Sequence, residues 1–331
     1  MTTVLATTEL TEPTLSLQPK FSLGARHLAR ILDLTGGEIR SIITLAEQLR
    51  TQGYARWSHA MSGRAMALVF EKASLRTRVS FEVGFQRLGG SVIYLDQQGS
   101  PLGMRESLAD FGHNMERFVD CLVARVMKHS VIEGLCESMR VPVINALCDR
   151  HHPCQALADF QTLLALQPDP ARIHLAWVGD GNNVCHSLME CAAALGSRIT
   201  VVTPMGLEPD AAITAQAQGR AMRTGATITV TSDLNAIAGV TAVYADVWVS
   251  MGEMDGDSKR AALEPFQVND SLMAIAGPQA RFMHCLPAKR GQEVTDSVID
   301  SPASIVFDQA ENRMHAQASL LLHLLAPTAT N

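Results

Sequence analysis

From about residue 60 onward the chain alternates short apolar runs with amphipathic stretches, the pattern of repeated βαβ units around parallel sheets. Ala65–Glu71 (AMALVFE) reads as a buried strand. A polar turn follows, then a helix carrying Phe81, Phe85 and Leu88 at i, i+4 and i+7, which Gly89-Gly90 stops. Ser91–Asp96 is the next strand and Gln97–Arg105 an exposed loop; two more strands are predicted at Cys121–Val126 and Val141–Leu147, with a helix between them. Ala156, Phe160 and Leu163-Leu164 share one face of a long helix over Pro153–Leu166, broken by Gln167-Pro168-Asp169-Pro170. A second series of strands is predicted at Ile173–Val178, Ile199–Thr203, Thr227–Thr231, Ala242–Val249, Phe282–Leu286 and Ile305–Asp308. Gly196 suits the C-cap of the helix after Gly181, and Ala310–Leu325 reads as a strongly amphipathic final helix. The fold class is therefore α/β, with two doubly wound parallel-sheet domains joined by a helix near residues 152–166. The length of 331 residues agrees with two domains at roughly 150 residues each.

Composition narrows the function classes. The chain is 47% hydrophobic and 18% charged, enough to bury two cores and too apolar for a disordered chain. With 27 basic and 33 acidic residues the net charge is −6, and no basic run offers a footprint for nucleic acid or an anionic membrane. No window reaches the roughly 18 uninterrupted apolar residues of a membrane span. Seven cysteines, an odd number without a C-x-x-C pair, argue against a disulfide framework or a structural zinc site and point to a reducing cytoplasm. Residues 1–20 have neither the basic and apolar regions of a signal peptide nor the arginine-rich, acid-poor character of a transit peptide, and read as a flexible arm.

Open α/β sheets bind ligands at the carboxyl ends of their strands, so the chemistry is sought just after each predicted strand. Ser74-Leu75-Arg76-Thr77-Arg78 opens a helix, where unpaired N–H groups favour an anion. Two hydroxyls and two guanidiniums there suit a phosphate; the structural alternative is an N-cap serine with solvated arginines. Cations at a helix N-terminus oppose its dipole, so two of them call for a compensating anion. Arg125 lies in the apolar run CLVARV, where an arginine needs either an ion-pair partner or a ligand. His151-His152-Pro153-Cys154-Gln155 begins a helix, and a histidine and a glutamine one turn apart can both hydrogen-bond a carbonyl group. His-x-Cys lacks further ligands at zinc spacing. Gly179-Asp180-Gly181-Asn182-Asn183 imitates a dinucleotide loop, but Val184 replaces its third glycine and the next strand ends without an acidic residue, so NAD is not expected. Asp246-Val247-Trp248-Val249-Ser250-Met251-Gly252 and His284-Cys285-Leu286-Pro287 close two strands of the second half. An aspartate there can attract an amine, and a strand-end cysteine is either core or cleft.

In order and spacing, FEKASLRTRVSFE, HHPCQALAD, WVGDGNNVCHS, DVWVSMG, FMHCLPAKRG and FDQAENRMHAQ make the chain closely resemble the ornithine carbamoyltransferases of the aspartate/ornithine carbamoyltransferase superfamily, from about Phe21 onward. The resemblance implies a carbamoyl-phosphate domain over 21–152, completed by a C-terminal helix 311–328 that returns to it, and an ornithine domain over 153–310. It implies transfer of the carbamoyl group of carbamoyl phosphate to the δ-amino group of L-ornithine, without metal or organic cofactor, in cytoplasmic homotrimers with sites between subunits. Carried onto this chain, carbamoyl phosphate falls to Ser74, Leu75 (through its backbone), Arg76, Thr77, Arg125, His152, Gln155 and Arg313. Ornithine falls to Asn183, Asp246, Ser250, Met251, Cys285 and Leu286, with Arg125, His152 and Cys285 nearest the chemistry.

Two departures bear on specificity. Leu75 stands where the family usually has threonine, removing one hydroxyl, and relatives that use N-acylated ornithine can carry an apolar residue there. Pro101 stands where the family commonly offers Gln or His to a neighbouring subunit. An N-acyl-ornithine or other amine carbamoyltransferase, and a non-catalytic paralogue binding carbamoyl phosphate, are therefore the alternatives. DVWVSMG and HCLPA favour unmodified ornithine, and the SMG stretch lacks the basic residues that aspartate as acceptor would need.

Overall fold

The structure, a computed structural model, describes residue 23 and residues 27–249 and 256–325. The arm at residues 1–20 and the predicted site residues Ser250 and Met251 lie outside the described residues. Helix α1 (Gly36–Gln52) precedes the region in which the sequence predicts elements. A capping box opens it: the Glu38 backbone N–H donates to Thr35 Oγ1 at 3.2 Å, and the Thr35 N–H donates to the Glu38 carboxylate at 2.7 Å. Ile39, Ile42, Ala46 and Leu49 then face inward.

The first half continues as β1 (Ala65–Phe70), α2 (Leu75–Arg87), β2 (Ser91–Asp96), α3 (Leu108–Met115), β3 (Cys121–Arg125), α4 (His129–Ser138) and β4 (Val143–Leu147). Its four strands form a parallel sheet in the order β2-β1-β3-β4. Helix α5 (Pro153–Leu166) leads into the second half, composed of β5 (His174–Val178), α6 (Asn183–Leu195), β6 (Arg198–Val202), α7 (Ala211–Thr224), β7 (Thr227–Thr231), β8 (Ala242–Ala245), α8 (Gly256–Leu263), α9 (Asp270–Ala276), β9 (Arg281–His284), α10 (Asp296–Ile299) and α11 (Val306–Leu325). Its parallel sheet runs β7-β6-β5-β8-β9. The doubly wound α/β class expected from the sequence is thus the observed one. Gly196 ends α6 at φ 83°, as its predicted capping role requires.

Three sequence expectations need correction. Ile305–Asp308 is not a strand: Ser304 makes one isolated bridge to Phe282, and the chain then turns into α11, with Val306 buried and Phe307 76% exposed. An apolar run of three residues, Ile305–Phe307, cannot distinguish strand from first helical turn by periodicity alone. The strands predicted at Ala242–Val249 and Phe282–Leu286 stop at Ala245 and His284, so that Asp246–Val249 and Cys285–Leu286 leave the sheet. The final helix begins at Val306, earlier than expected, and beyond Asp308 and Glu311, which are exposed, its polar side chains are withdrawn from water: Gln309, Asn312, Arg313, His315, Gln317, Ser319 and His323 are all buried. Packing of α11 against α1, α2 and α5 on the first half, and against β9 on the second, explains this.

In both sheets the chain winds outward to one side and then returns to the other. The reversals fall between β1 and β3 and between β5 and β8, and a reversal leaves a crevice at the strands' carboxyl ends.

Candidate active site

The two crevices open into one cleft of about 830 Å³, within the size range of small-molecule sites. Every site residue predicted from the sequence that lies among the described residues lines it: Ser74, Leu75, Arg76, Thr77, Arg125, His152, Gln155 and Arg313 from one wall, Asn183, Asp246, Cys285 and Leu286 from the other.

On the first wall Ser74 is the N-cap of α2; its Oγ accepts from the Thr77 N–H at 3.3 Å and donates to Thr77 Oγ1 at 2.9 Å. The hydroxyl of Thr77, which is buried, also receives Arg125 at 3.5 Å and Arg313 at 3.3 Å. These long contacts give two guanidiniums little compensation. Burial brings Arg125 down to about 10, with the Arg313 and Arg76 charges adding to the effect, and burial lowers Arg313 as well. The Nε atoms of both Arg125 and Arg313 are buried without a hydrogen-bond partner. Desolvated cations that disfavour one another define a site for an anion with several acceptor oxygens. Arg78, counted in the cradle by residue type, points elsewhere: it pairs with Glu82 at 3.2 Å and lies over the Tyr94 ring at 4.0 Å. Leu75 stands on the first turn of α2, 75% exposed at the cleft rim.

His152, the residue before α5, donates its backbone N–H to Ser187 Oγ at 2.8 Å, while its ring Nδ1 is buried without a partner. Burial, and then the Arg313 and Arg125 charges, hold the imidazole well below its ordinary pKa. It is therefore neutral, able to donate one ring N–H to a carbonyl oxygen without adding charge. One turn on, the Gln155 side-chain oxygen accepts from Arg313, and its Nε2 donates to Asp159 at 2.7 Å.

The second wall is organised around Asp246, just beyond β8. Its carboxylate accepts from the Cys285 thiol at 3.0 Å, the Val247 N–H at 2.8 Å and the Asn182 amide at 2.8 Å. Burial, then the adjacent Asp246 charge, pushes Cys285 well above the ordinary thiol range, so it acts as a protonated donor and not as a thiolate. Asn183 donates to the Cys148 carbonyl at 2.6 Å, tying α6 to the end of β4. Cys285 and Leu286 sit on a turn with Leu286 at φ 57°, the one non-glycine positive φ among the described residues, a conformation that costs about 1–3 kcal/mol and persists when its surroundings enforce it. Here the Leu286 N–H donates to His284 Nδ1 at 2.8 Å, and His284 Nε2 pairs with buried Glu293 at 3.2 Å.

Asp246, His284 and Cys285 bring three metal-ligand atoms within 4.8 Å of one another, but both His284 nitrogens are already engaged. Two remaining donors fall short of a tetrahedral set. Gly181 of the loop that imitates a dinucleotide fingerprint answers to packing, since a Cβ there would lie 2.2 Å from the Pro209 nitrogen. Sequence reasoning missed Asn182, which anchors Asp246, and Glu293, which anchors His284. Asn182 was legible as the N-cap of α6; Glu293 gave no local signal.

Two family models cover nearly all of the chain: the aspartate/ornithine carbamoyltransferase carbamoyl-P binding domain over residues 26–165, and the Asp/Orn binding domain over residues 171–324. The ornithine carbamoyltransferase of Shewanella oneidensis is 48% identical over 302 residues, 91% of this chain and 100% of that protein. The solved structure of ornithine carbamoyltransferase from Pyrococcus furiosus superposes with a TM-score of 0.89 at 42% identity, covering 93% of this chain and 99% of that one. That of the Thermus thermophilus enzyme gives 0.82 at 40% identity, covering 91% and 99%.

Proposed function

The chain belongs to the aspartate/ornithine carbamoyltransferase family, and we propose from this and from its cleft that it transfers the carbamoyl group of carbamoyl phosphate to the δ-amino group of L-ornithine, giving L-citrulline and phosphate. The observation that carries this reading is the pairing, in one cleft, of undercompensated guanidiniums on one wall with the Asp246–Cys285 pair on the other.

In this reading the first half of the chain holds carbamoyl phosphate and the second half ornithine, with α11 returning to the first. The phosphate takes the N-terminus of α2 with Ser74, Leu75 through its backbone, Arg76 and Thr77, and is met by Arg125 and Arg313. A dianion there restores to the arginines the favourable field that burial removes. The carbamoyl oxygen faces His152 and Arg125, with Gln155 beside it. Asn183 and Asp246 take the charged end of ornithine, Ser250 and Met251 complete that side, and Cys285 and Leu286 border the δ-amine.

An alkylamine has a pKa of roughly 10, so the nucleophile must be bound or created neutral. Adjacent guanidiniums disfavour the ammonium form and promote that state. The nitrogen lone pair attacks the carbamoyl carbon and the carbonyl electrons move to oxygen, where the oxyanion meets Arg125 and the neutral His152 N–H. Collapse breaks the carbon–oxygen bond to phosphate, and the surplus amine proton leaves with it, so that hydrogen phosphate and a neutral ureido group result. Positioning and fixed dipoles supply the acceleration.

A homotrimer is inferred from the family resemblance, and the half-exposed Val79 and Ile93, on α2 and on edge strand β2, agree with a covered face. No described helix is long and apolar enough to cross a membrane, and a cytoplasmic location is proposed. The test is product formation from carbamoyl phosphate with ornithine, N-acetylornithine, putrescine and aspartate in parallel. Preference for ornithine is expected. Preference for N-acetylornithine would give Leu75 a role in specificity and overturn the ornithine-side assignments.

A further inference from the structure

Asp159, on α5, is a fully buried acid that the reaction as described does not use. Two glutamines and a tyrosine surround it. Its Oδ1 accepts from Gln155 Nε2 at 2.7 Å and from Gln309 Nε2 at 2.7 Å; its Oδ2 accepts from the Tyr244 hydroxyl at 3.0 Å. Burial lifts Asp159 to about 7, and the glutamine and tyrosine donors hold it down.

The importance of this arrangement lies in its direction. The three donors aimed at its two oxygens favour the ionised form, which only accepts, whereas a glutamine amide has one accepting and one donating end. Once Asp159 takes the Nε2 end of Gln155, the oxygen end must face the other way, and it accepts from Arg313. Once Asp159 takes the Nε2 end of Gln309, that oxygen must also face away, and it accepts from the His284 backbone N–H at 2.9 Å. Arg313 belongs to the phosphate wall. His284 begins the turn that carries Cys285 and Leu286 on the ornithine wall. One carboxylate at the junction of α5, α11 and β8 therefore sets the polarity of two hydrogen-bond chains, one ending at Arg313 and the other at the turn that carries Cys285 and Leu286, on opposite walls of the cleft.

We propose that Asp159 is a positioning residue for both substrates, fixing through Gln155 the orientation of Arg313 and through Gln309 that of the His284–Leu286 turn. The proposal rests on the carbamoyl-transfer reading above. It goes beyond that reading by assigning a shared anchor, out of contact with either substrate, to two binding surfaces contributed by different halves of the fold.

Asp159→Asn tests it with little change of volume. Asparagine offers one oxygen to three donors, so either its NH2 confronts the two glutamine NH2 groups or the Tyr244 hydroxyl loses its acceptor. The KM values for carbamoyl phosphate and ornithine should both rise, and kcat should fall about tenfold or more, while circular dichroism remains that of the wild type. A carboxylate with a merely structural role would lower Tm and leave both KM values per folded enzyme unchanged, and that result overturns the proposal. Gln309→Met cuts only the ornithine chain. It should raise the ornithine KM about tenfold with the affinity for inorganic phosphate, read by calorimetry, unaltered. Equal effects on both ligands, or none, would also overturn the proposal, and this variant decides the matter if Asp159→Asn does not fold. Wild-type enzyme run alongside separates the two failures: no citrulline from the wild type refutes the reaction, whereas an active wild type with unaffected variants refutes the role of Asp159.

Discussion

Replacing Arg125 by methionine should reduce activity and stabilise the free protein, a combination that follows from how the guanidinium is held. At neutral pH Arg125 is charged in both the folded and the unfolded chain. Folding lowers its pKa to about 10, chiefly by burial and further through the Arg313 and Arg76 charges. That drop from the ordinary arginine value corresponds to roughly 3 kcal/mol carried against the fold at neutral pH. The compensation is small: the contact to Thr77 is 3.5 Å long and Nε has no partner. Methionine keeps most of the volume and carries no charge, so up to roughly 3 kcal/mol is recovered, less what the altered packing costs. Catalysis moves the other way, because a donor aimed at a developing oxyanion is worth about 10²–10³ in kcat. Differential scanning calorimetry of the ligand-free protein and a citrulline assay on the same preparation read the two effects. The expected result is a Tm equal to or above that of the wild type, with turnover reduced at least a hundredfold. A markedly lower Tm with turnover within a few-fold of wild type would refute the reasoning and return Arg125 to a structural role.

Two further outcomes follow from buried titratable groups. His129 and His151, whose rings lie 4.8 Å apart, and nearby His186 are all depressed, chiefly by burial, His151 to about 2. Because each binds protons less readily folded than unfolded, their contribution is complete above the unfolded histidine pKa of about 6.5 and is lost as pH falls below it, by up to about 1.4 kcal/mol per pH unit for each proton taken up on unfolding. Glu190 and Asp159, raised by burial to about 8 and about 7, oppose this because their share of stability falls as pH rises toward those values, but His152, His174, His315 and His323 are depressed as well, so the histidines outnumber the two acids. Tm should therefore decline between pH 7 and pH 5, and a flat profile over that range would contradict the assignment. For Cys285, whose thiol is raised by burial and Asp246, alkylation by iodoacetamide at pH 7.5 should be slow, and Cys285→Ala should lower kcat/KM for ornithine about tenfold with phosphate affinity unchanged. Rapid alkylation, or an unaltered ornithine kcat/KM, would count against a protonated donor role.

Much of the site was legible because its residues stand at strand ends, where local signals are strongest. Ser74 and Gly196 announce helix boundaries by residue type, and Arg125 is conspicuous as a cation in an apolar strand. The supports behind them were not legible. Asp159 shares α5 with an apolar face that implies an outer, wet face, yet Gln155, Asp159, Gln161 and Thr162 are as buried as their apolar neighbours. Only the return of α11, 150 residues later in sequence, covers Asp159 with Gln309. The same distance hides the role of Gln309, while Glu293, only 9 residues from His284, lies in a turn where no periodic pattern marks a buried polar side chain. Helix α1 is different: no element is predicted there, although Thr35 and Glu38 at capping-box spacing and Ile39, Ile42, Ala46 and Leu49 on one face carry the signal of a helix start.

The most direct test of the central claim is the simultaneous measurement of citrulline and inorganic phosphate released from carbamoyl phosphate and L-ornithine, in the presence of a chelator. The two walls of the cleft, acting on one reaction, predict the products in equal amounts and no burst of phosphate when ornithine is withheld. Phosphate release that does not depend on ornithine, or an absence of citrulline at any ornithine concentration, would contradict it.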